Sequence, residues 1–359
     1  MANATQVVSP PLEAREHRYP VLRDFYRGQT VFVTGATGFV GGHVARGLLD
    51  LGAKVRILAR ETSSKARVRE LQDRGAEFHF GDLGDRDAVL RAADGANYIF
   101  HIGALYREAK FADEVFFRAN LEGTRHVIDA AERNHSARLV YCSTSGVHSH
   151  IEHPPADESA PFHPADVYQR SKAEAELLVK RCHDEGRIRA TVIRPGMIWG
   201  DDDTRFLKLF RGVSQGRMPL IGLGETWTHW IYVVDLADAF LLAPTTEASL
   251  GEAYLVAGEK PILMTEVFQT LSKLGGRESY KLRIPALPVQ ILGSIVESIC
   301  RPFGIEPPIF RRRVDFFVKN RAFKTDKVKR DFGFRSRYSF EQEAARIFAA
   351  YREAGLLRS

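Results

Sequence analysis

The residues of this sequence best suited to proton transfer are Tyr168 and Lys172, which are separated by Gln, Arg and Ser. A tyrosine with an ordinary pKa of about 10 is a poor acid–base group at neutral pH, so its anion needs a stabilising charge. A spacing of four residues on a helix stacks the two side chains on one face, where the lysine ammonium supplies that charge. Thr144 can donate a hydrogen bond to a substrate carbonyl or alcohol oxygen, with Ser143 and Ser145 as competitors for that role.

A second stretch, Val31 to Gly42, has the composition of a phosphate-binding turn. Three apolar residues indicate a buried strand, glycines follow at a spacing of three, and an apolar-periodic helix begins at once. Glycines there permit a tight turn and close approach of the backbone to a pyrophosphate, and the helix N-terminus offers free N–H groups and partial positive charge. The residues predicted to contact the dinucleotide here are Gly35, Thr37, Gly38, Phe39, Val40 and Gly41.

The elements that must position these residues alternate between strand and helix up to Pro195. Apolar runs predict strands at 29–34, 54–59, 77–80, 97–102, 137–143 and 189–194. Helices are predicted at 39–51, 64–74, 86–93, 113–134 and 167–184. This alternation indicates an α/β fold, a doubly wound parallel sheet (Rossmann fold) whose switch point lies beside the glycine turn.

Beyond Pro195 the alternation ends, and we divide the chain into three parts. Residues 1–28 form an N-terminal extension, expected to pack loosely or stay mobile. Residues 29–200 form the NAD(P)-binding domain with the catalytic residues, and 201–359 a smaller, mainly substrate-binding part that is interleaved with the sheet. In this last part, helices are predicted at 206–215, 236–243, 265–274 and 339–353, and short strands near 229–233 and 253–256.

The end of the second predicted strand carries the signal for the cofactor. A fold that binds NAD usually has Asp or Glu there, which accepts hydrogen bonds from the ribose hydroxyls. This chain has Ala59 and Arg60 instead, and Arg60 can pair with the 2′-phosphate of NADP, with Lys65 as a second cation. Glu61 can still reach a ribose, so NAD remains the alternative.

The ends of the next two strands are predicted to complete the nucleotide site. Asp82 and Leu83 offer a carboxylate and an apolar surface to the adenine. Ile102, Gly103 and Ala104 are expected to pass under the ribose, where small residues permit close approach.

Taken together, these motifs resemble those of the extended short-chain dehydrogenases/reductases. That superfamily includes the NAD(P)-dependent sugar epimerases and dehydratases, the dihydroflavonol reductases and the 3β-hydroxysteroid dehydrogenases, and the resemblance covers about residues 29–357. It rests on 34–41 (TGATGFVG), 81–83 (GDL), 101–104 (HIGA), 120–124 (NLEGT), 142–145 (CSTS), Tyr168 with Lys172, 194–200 (RPGMIWG) and 230–238 (WIYVVDLAD).

The resemblance implies that Tyr168 is the acid–base group, that Lys172 binds the nicotinamide ribose and the tyrosine, and that Thr144 completes the triad. Pro195 would then border the nicotinamide, and the protein would form a homodimer. Two departures stand out. The run His101-Ile-Gly-Ala replaces the usual double alanine, and Arg60 matches the NADPH-using reductases rather than the epimerases.

The composition bears on nucleic-acid binding, cellular location and metal binding. The net charge of +6 is mild for 359 residues, and no lysine–arginine run with interleaved aromatics indicates nucleic-acid binding. Three scattered cysteines provide no disulfide framework, which favours a reducing, cytoplasmic location. The histidines at 148, 150, 153 and 163 match no standard ligand spacing, so we expect no metal.

One apolar stripe has several interpretations. It consists of Leu287, Ile291, Leu292, Ile295, Val296 and Ile299. Core packing or a lid over the substrate explains it most simply, whereas Arg301 and the arginines at 311–313 would also suit a membrane surface or substrate phosphates. We expect a small-molecule substrate, and we favour core packing or a lid over contact with a membrane surface.

The sequence thus predicts an NAD(P)-dependent oxidoreductase that prefers NADPH and transfers hydride to or from a ketone or secondary alcohol. One alternative is a nucleotide-sugar epimerase or dehydratase that retains NAD. The other is a non-catalytic NADP-sensing module, which has no need of the Tyr168–Lys172 pair.

Overall fold

A computed structural model describes residues 18–106, 111–135, 137–277, 283–300 and 311–357 of the chain. The strands are β1 (Thr30–Thr34), β2 (Lys54–Ala59), β3 (Glu77–Phe80), β4 (Tyr98–His101), β5 (Arg138–Cys142), β6 (Arg189–Pro195), β7 (Met197–Trp199), β8 (Leu220–Ile221), β9 (Trp227–Thr228), β10 (Trp230–Tyr232), β11 (Ala253–Val256), β12 (Ile262–Leu263) and β13 (Arg283–Ile284).

The helices pack on both faces of the main sheet and around the C-terminal part. They are α1 (Val21–Tyr26), α2 (Phe39–Asp50), α3 (Lys65–Asp73), α4 (Arg86–Ala92), α5 (Asp113–Phe117), α6 (Gly123–Arg133), α7 (Val167–Asp184), α8 (Leu207–Ser214), α9 (Val233–Leu242), α10 (Met264–Leu274), α11 (Ala286–Cys300), α12 (Arg311–Val318), α13 (Asp326–Phe332) and α14 (Phe340–Glu353).

The main sheet has seven strands in the order β11-β6-β5-β4-β1-β2-β3, and every pairing in it is parallel. The predicted doubly wound Rossmann fold is confirmed. The strand order reverses between β1 and β4, where Thr34 stands in register with His101. In open sheets of this type, ligands bind outside the carboxyl ends of the strands at such a switch point.

Burial explains why these strands form a central sheet. Val31, Phe32 and Val33 of β1 are completely buried because helices cover both faces. One apolar cluster lies between the sheet and the helices α2 and α9, and another between the sheet and α4, α6 and α7. The seventh strand, β11, comes from the C-terminal part and pairs with β6, so that part contributes to the sheet.

The C-terminal part has its own aromatic core. Trp199 packs against Trp230 at 4.6 Å between ring centroids and against Phe340 at 4.7 Å. Helix α14 begins at a capping box formed by Ser339 and Gln342.

None of the helices within the described ranges combines the length and apolar character needed to cross a membrane.

The predicted continuous helix 113–134 is interrupted. A π-helical turn, Arg118–Glu122, separates α5 from α6 and inserts an extra residue into the helical repeat. Its Asn120 is buried and hydrogen-bonds both backbone groups of Leu105, with its amide nitrogen also 2.9 Å from Ser171 Oγ. The turn therefore holds the segment after β4 against α7.

The expectation of a loosely packed extension is wrong for residues 18–28. Helix α1 buries Leu22 and Tyr26 completely, and the Tyr26 hydroxyl donates to the Leu241 carbonyl at 2.7 Å. Sequence reading missed this because six residues are too short to show helical periodicity. Residues 1–17 lie outside the described part of the chain.

The core-packing interpretation of the stripe on α11 is also wrong. Leu287, Ile291, Leu292, Ile295 and Ile299 are each at least half exposed, at 66, 53, 50, 52 and 61%. Helix α11 packs on α12. Arg301 lies outside the described residues, so the lid, membrane and phosphate interpretations of this segment stay predictions.

Candidate active site

The turn between β1 and α2 requires its glycines. Gly35 has a φ of +75°, and a Cβ there would lie 2.6 Å from the Gly103 nitrogen. A Cβ on Gly41 would lie 2.2 Å from the Gly35 carbonyl oxygen. The turn thus packs tightly against the segment that follows β4.

The N-terminus of α2 is suited to an anion. Gly38 caps the helix without a side-chain hydrogen bond, and no acidic residue stands in the first turn, which begins with Phe39 and Val40. The first N–H groups of a helix have no partner within it, and the helix dipole favours negative charge there. Gly38 is exposed and Thr37 is half-buried, so the turn is accessible. These features fit the pyrophosphate of a dinucleotide.

The end of β2 lies beside this turn. Arg60 is exposed, and its N–H donates to Ser63 Oγ at 3.1 Å. Thr37 Oγ1 in turn donates to Ser63 Oγ at 3.4 Å, so the loop after β2 contacts the glycine turn. No carboxylate occupies the last position of β2, where Ala59 is buried.

Arg67, which sequence reasoning missed, contacts the glycine turn directly. Its Nη1 donates to the Thr37 carbonyl at 3.2 Å, and its Nη2 lies 3.9 Å from Asp202 Oδ2. Side chains two positions apart on a helix point about 200° apart around its axis, so Lys65 and Arg67 cannot both face the turn. Lys65 is exposed at the start of α3, and its role in cofactor binding stays a prediction.

The segments that follow β3 and β4 meet at the carboxyl ends of the strands, although β1 and β2 stand between these two strands in the sheet. Asp82 is exposed and its Oδ1 accepts from the Gly84 N–H at 2.9 Å. Leu83 is half-buried, and a Cβ on Gly103 would lie 3.1 Å from its Cδ1. Ile102 and Ala104, on either side of Gly103, are half-buried and exposed respectively, so the structure brings these predicted adenosine contacts together.

His101 is a structural residue at the centre of this region. Its Nδ1 lies 2.8 Å from Thr34 Oγ1 and its Nε2 lies 3.0 Å from Thr124 Oγ1, which connects β1, β4 and α6. Burial, with a smaller effect from the charge of Lys172, lowers the His101 pKa to about 3. The ring is therefore neutral at physiological pH and holds the strand ends in place.

Tyr168 and Lys172 lie in the first turns of α7. Asp166 caps this helix by accepting from the Gln169 N–H at 2.8 Å. Both side chains are buried, with 7% of Tyr168 and 2% of Lys172 exposed. Burial lowers the pKa of Lys172 to about 8, against the opposing effects of Cys142 and Glu176. Lys172 Nζ also lies 4.2 Å from the centre of the Tyr141 ring.

Thr144 lies at the carboxyl end of β5, and it is the partly exposed member of the run 143–145. Its Oγ1 accepts from the Gly146 N–H at 3.0 Å, which leaves its own hydrogen for a substrate oxygen. Ser143 is buried and donates to Glu176 Oε2 at 2.6 Å, and Ser145 is buried as well. Among the three hydroxyls, the geometry favours Thr144.

Glu176, one helical turn beyond Lys172, connects α7 with the ends of two strands. It is completely buried and binds Arg194 at 2.6 Å, while also accepting the Ser143 hydrogen bond. Arg194 Nη1 also donates to the Glu158 carbonyl at 2.9 Å, so each nitrogen of its guanidinium has a hydrogen-bond acceptor. This cluster ties α7 to the ends of β5 and β6, where Pro195 is buried.

Tyr106 and Arg205 lie between Tyr168 and the start of α2, where the Arg205 guanidinium is 5.0 Å from the Phe39 ring. The Tyr106 ring meets Tyr168 edge-on at 5.1 Å, and the Arg205 guanidinium lies 5.9 Å from the same Tyr106 ring. Neither residue was predicted, because each depends on the folding of a loop.

The histidine-rich loop contributes packing. His148 is buried, its Nδ1 lies 3.1 Å from the Pro161 carbonyl, and its ring contacts Phe162. Across the described ranges, no three His, Cys, Asp or Glu side chains lie close enough to hold a metal ion together.

Comparison with known proteins agrees with this geometry. A sequence model described as the NAD dependent epimerase/dehydratase family matches residues 31–257. A 2-alkyl-3-oxoalkanoate reductase of Stenotrophomonas maltophilia is 30% identical, over 89% of this chain and 98% of its own. A 3 beta-hydroxysteroid dehydrogenase/Delta 5-->4-isomerase of Mycobacterium tuberculosis is 29% identical, over 89% of this chain and 90% of its own.

A solved structure extends the likeness to three dimensions. The crystal structure of gox2253 superposes with a TM-score of 0.76 at 30% identity, covering 92% of this chain and all of that one. The family match spans more than half of the chain and includes the glycine turn, Thr144 and the Tyr168–Lys172 pair. The protein is therefore an oxidoreductase that belongs to the NAD dependent epimerase/dehydratase family.

Proposed function

We propose that the protein is an NADPH-preferring reductase that converts a ketone into a secondary alcohol. The observation that carries this proposal is the burial of Tyr168 and Lys172 in the first turns of α7, with the partly exposed Thr144 just beyond the carboxyl end of β5. The names of the relatives, a 3-oxoalkanoate reductase and a hydroxysteroid dehydrogenase, support an interconversion of carbonyl and alcohol.

Each residue of the pair has one task. Tyr168 donates its hydroxyl proton to the carbonyl oxygen as that oxygen gains negative charge, and Thr144 donates a hydrogen bond to the same oxygen. Lys172, with a pKa of about 8, is mostly protonated at neutral pH, and its positive charge favours the phenolate left on Tyr168. NADPH, when bound, supplies the hydride for the carbonyl carbon.

The preference for NADPH rests on charge at the 2′-position of the ribose. Arg60 stands at the end of β2 where an NAD-binding fold has a carboxylate, and Arg67 lies against the glycine turn. A guanidinium pairs with a phosphate through charge-assisted hydrogen bonds. Two cations from neighbouring segments thus favour the phosphorylated cofactor.

Steady-state kinetics with a ketone panel test the cofactor. We expect Arg60→Ala to weaken NADPH by about 1.5–3 kcal/mol, or about 10- to 150-fold in KM, and to leave NADH nearly unchanged. Arg67→Ala should act in the same direction. Arg69→Ala is the matched control, because this arginine is exposed on the same helix and lies about 200° around it from Arg67.

Two outcomes would contradict the proposal. Equal wild-type affinity for NADPH and NADH would overturn the preference. Mass spectrometry that finds NAD retained on purification, with no net NADPH oxidation by any ketone, would instead identify an epimerase or dehydratase that oxidises and re-reduces one substrate.

A further inference from the structure

We propose that Arg205 binds a carboxylate carried by the ketone substrate, so that the protein acts on keto acids. The proposal rests on the proposed function, because it names the class of ketone that the same site takes.

The position of Arg205 is the first argument. It belongs to the short helix Thr204–Phe206, and its guanidinium lies 5.0 Å from the Phe39 ring and 5.9 Å from the Tyr106 ring. Phe39 directly follows the glycine turn, and Tyr106 contacts Tyr168 edge-on at 5.1 Å. One cation therefore touches an aromatic ring from the cofactor side and a ring that adjoins the catalytic tyrosine.

The way in which Arg205 is held is the second argument. Its Nε and Nη2 each donate to the Asp203 carboxylate at 2.8 Å, and Nη2 also donates to the Ile198 carbonyl at 3.0 Å. These bonds fix the plane of the guanidinium. Nη1 makes no hydrogen bond to any residue in the described ranges, and 42% of the side chain is exposed.

Charge is the third argument. Burial acts to lower the pKa of Arg205, but the hydrogen bond and charge of Asp203 outweigh it, with smaller contributions from Tyr106 and Tyr168, so the pKa is raised. The Arg205 guanidinium therefore stays protonated throughout the pH range of an enzyme assay. Asp203 orients the guanidinium, and its Nη1 group remains to donate a charge-assisted hydrogen bond to a substrate carboxylate in the guanidinium plane.

The surroundings match the rest of such a substrate. The exposed Tyr106 and the half-buried Phe39 present aromatic surface next to the guanidinium. A keto acid would place its carboxylate on Nη1 and its hydrocarbon part along these rings. A neutral ketone would leave Nη1 to water and gain only the apolar contact.

The test compares matched substrates that differ only in the carboxyl group. Initial rates are measured with NADPH and a series of 3-, 4- and 5-oxo acids, their methyl esters, and methyl ketones of equal chain length. For the wild type, we expect kcat/KM to be about 10- to 100-fold higher for an acid than for its ester.

Variants of Arg205 then identify the residue. Arg205→Gln should lower kcat/KM for the acid about 10- to 100-fold, chiefly through KM, and change the values for the ester and for NADPH less than about threefold. Arg205→Lys should restore part of the preference because it keeps the charge. Arg346→Gln is the control, since Arg346 is 45% exposed and likewise lies near an aspartate of the same loop, 3.5 Å from Asp201.

The outcomes separate the two proposals. Turnover of acids and esters at equal rates, or an equal loss for all substrates in Arg205→Gln, would overturn the carboxylate subsite while the reductase stands. If no ketone is reduced, the proposed function fails. Calorimetric binding of a 5-oxo acid to NADP-loaded protein then still decides the subsite, because affinity that is unchanged in Arg205→Gln would refute it.

Discussion

Helices α7 and α11 carry similar apolar stripes, yet they end in opposite environments. On α7, Ala175 and Val179 are completely buried against the sheet and α6. On α11, the leucines and isoleucines spaced at three and four residues remain at least half exposed. Periodicity predicts a helix and its apolar face, whereas the cover over that face depends on elements distant in the sequence.

The difference has a consequence for function. Because α7 packs against the sheet, its Tyr168, Lys172 and Glu176 are held in place, as the proposed acid–base role of Tyr168 requires. Helix α11, within the C-terminal part, has an exposed apolar face. A lid over an apolar substrate would need such a face. The residues proposed to transfer the proton thus lie on α7, the helix that is buried against the sheet.

The largest expected effect on stability is at Glu176 of α7. Glu176→Ala leaves the buried Arg194 without its carboxylate, so we expect a loss of about 3–5 kcal/mol in the free energy of unfolding. Glu132→Ala is the control, because Glu132 and its partner Arg187 are 31% and 45% exposed, and a surface pair contributes about 0–1 kcal/mol. Urea unfolding measures both. Equal losses would show that the buried cluster does not clamp α7.

The same substitution on the two helices tests the comparison itself. Leu178→Ala on α7 removes a buried side chain and should cost about 2–5 kcal/mol in the free energy of unfolding. Leu287→Ala on α11 removes a side chain that is 66% exposed and should change stability by no more than about 0.5 kcal/mol. A large loss for Leu287→Ala in thermal unfolding would mean that the exposed face is covered in solution.

A smaller effect is expected from pH. The pKa of Lys172 is lowered to about 8, so its ammonium is present below that pH and is lost as the pH rises through it. Since the charge favours the Tyr168 anion formed on proton donation, kcat for reduction should fall above about pH 8. Lys172→Met, which is neutral throughout, should be slow and lack this limb. A wild-type rate that stays constant up to pH 10 would contradict this role.

Much of the structure of residues 29–200 can be predicted from local sequence. The bounds of β2, β3 and α7 agree with the prediction, and the glycine turn stands where it was expected. These features depend on short-range patterns, namely apolar runs, glycine spacing and helix caps.

The parts that sequence could not supply depend on contacts between distant residues. The π-helical turn is only five residues long and lies between two helical stretches, so the apolar pattern predicts 113–134 as one helix. The pairing of Glu176 with Arg194 joins two elements, and the contact of Arg205 with Tyr106 needs two folded loops. Such contacts have no periodic signature in the chain.

The most direct test of the account is the rate of NADPH oxidation by Tyr168→Phe with the best ketone of the panel. The phenyl ring keeps the contact with Tyr106 but has no proton to give, so kcat should fall about 10²- to 10⁴-fold with little change in the KM for NADPH. Tyr98→Phe is the matched control, because Tyr98 begins β4 and so lies at the amino ends of the strands, away from the site, and should keep the wild-type rate. A Tyr168→Phe variant that reduces the ketone as fast as the wild type would contradict the central claim.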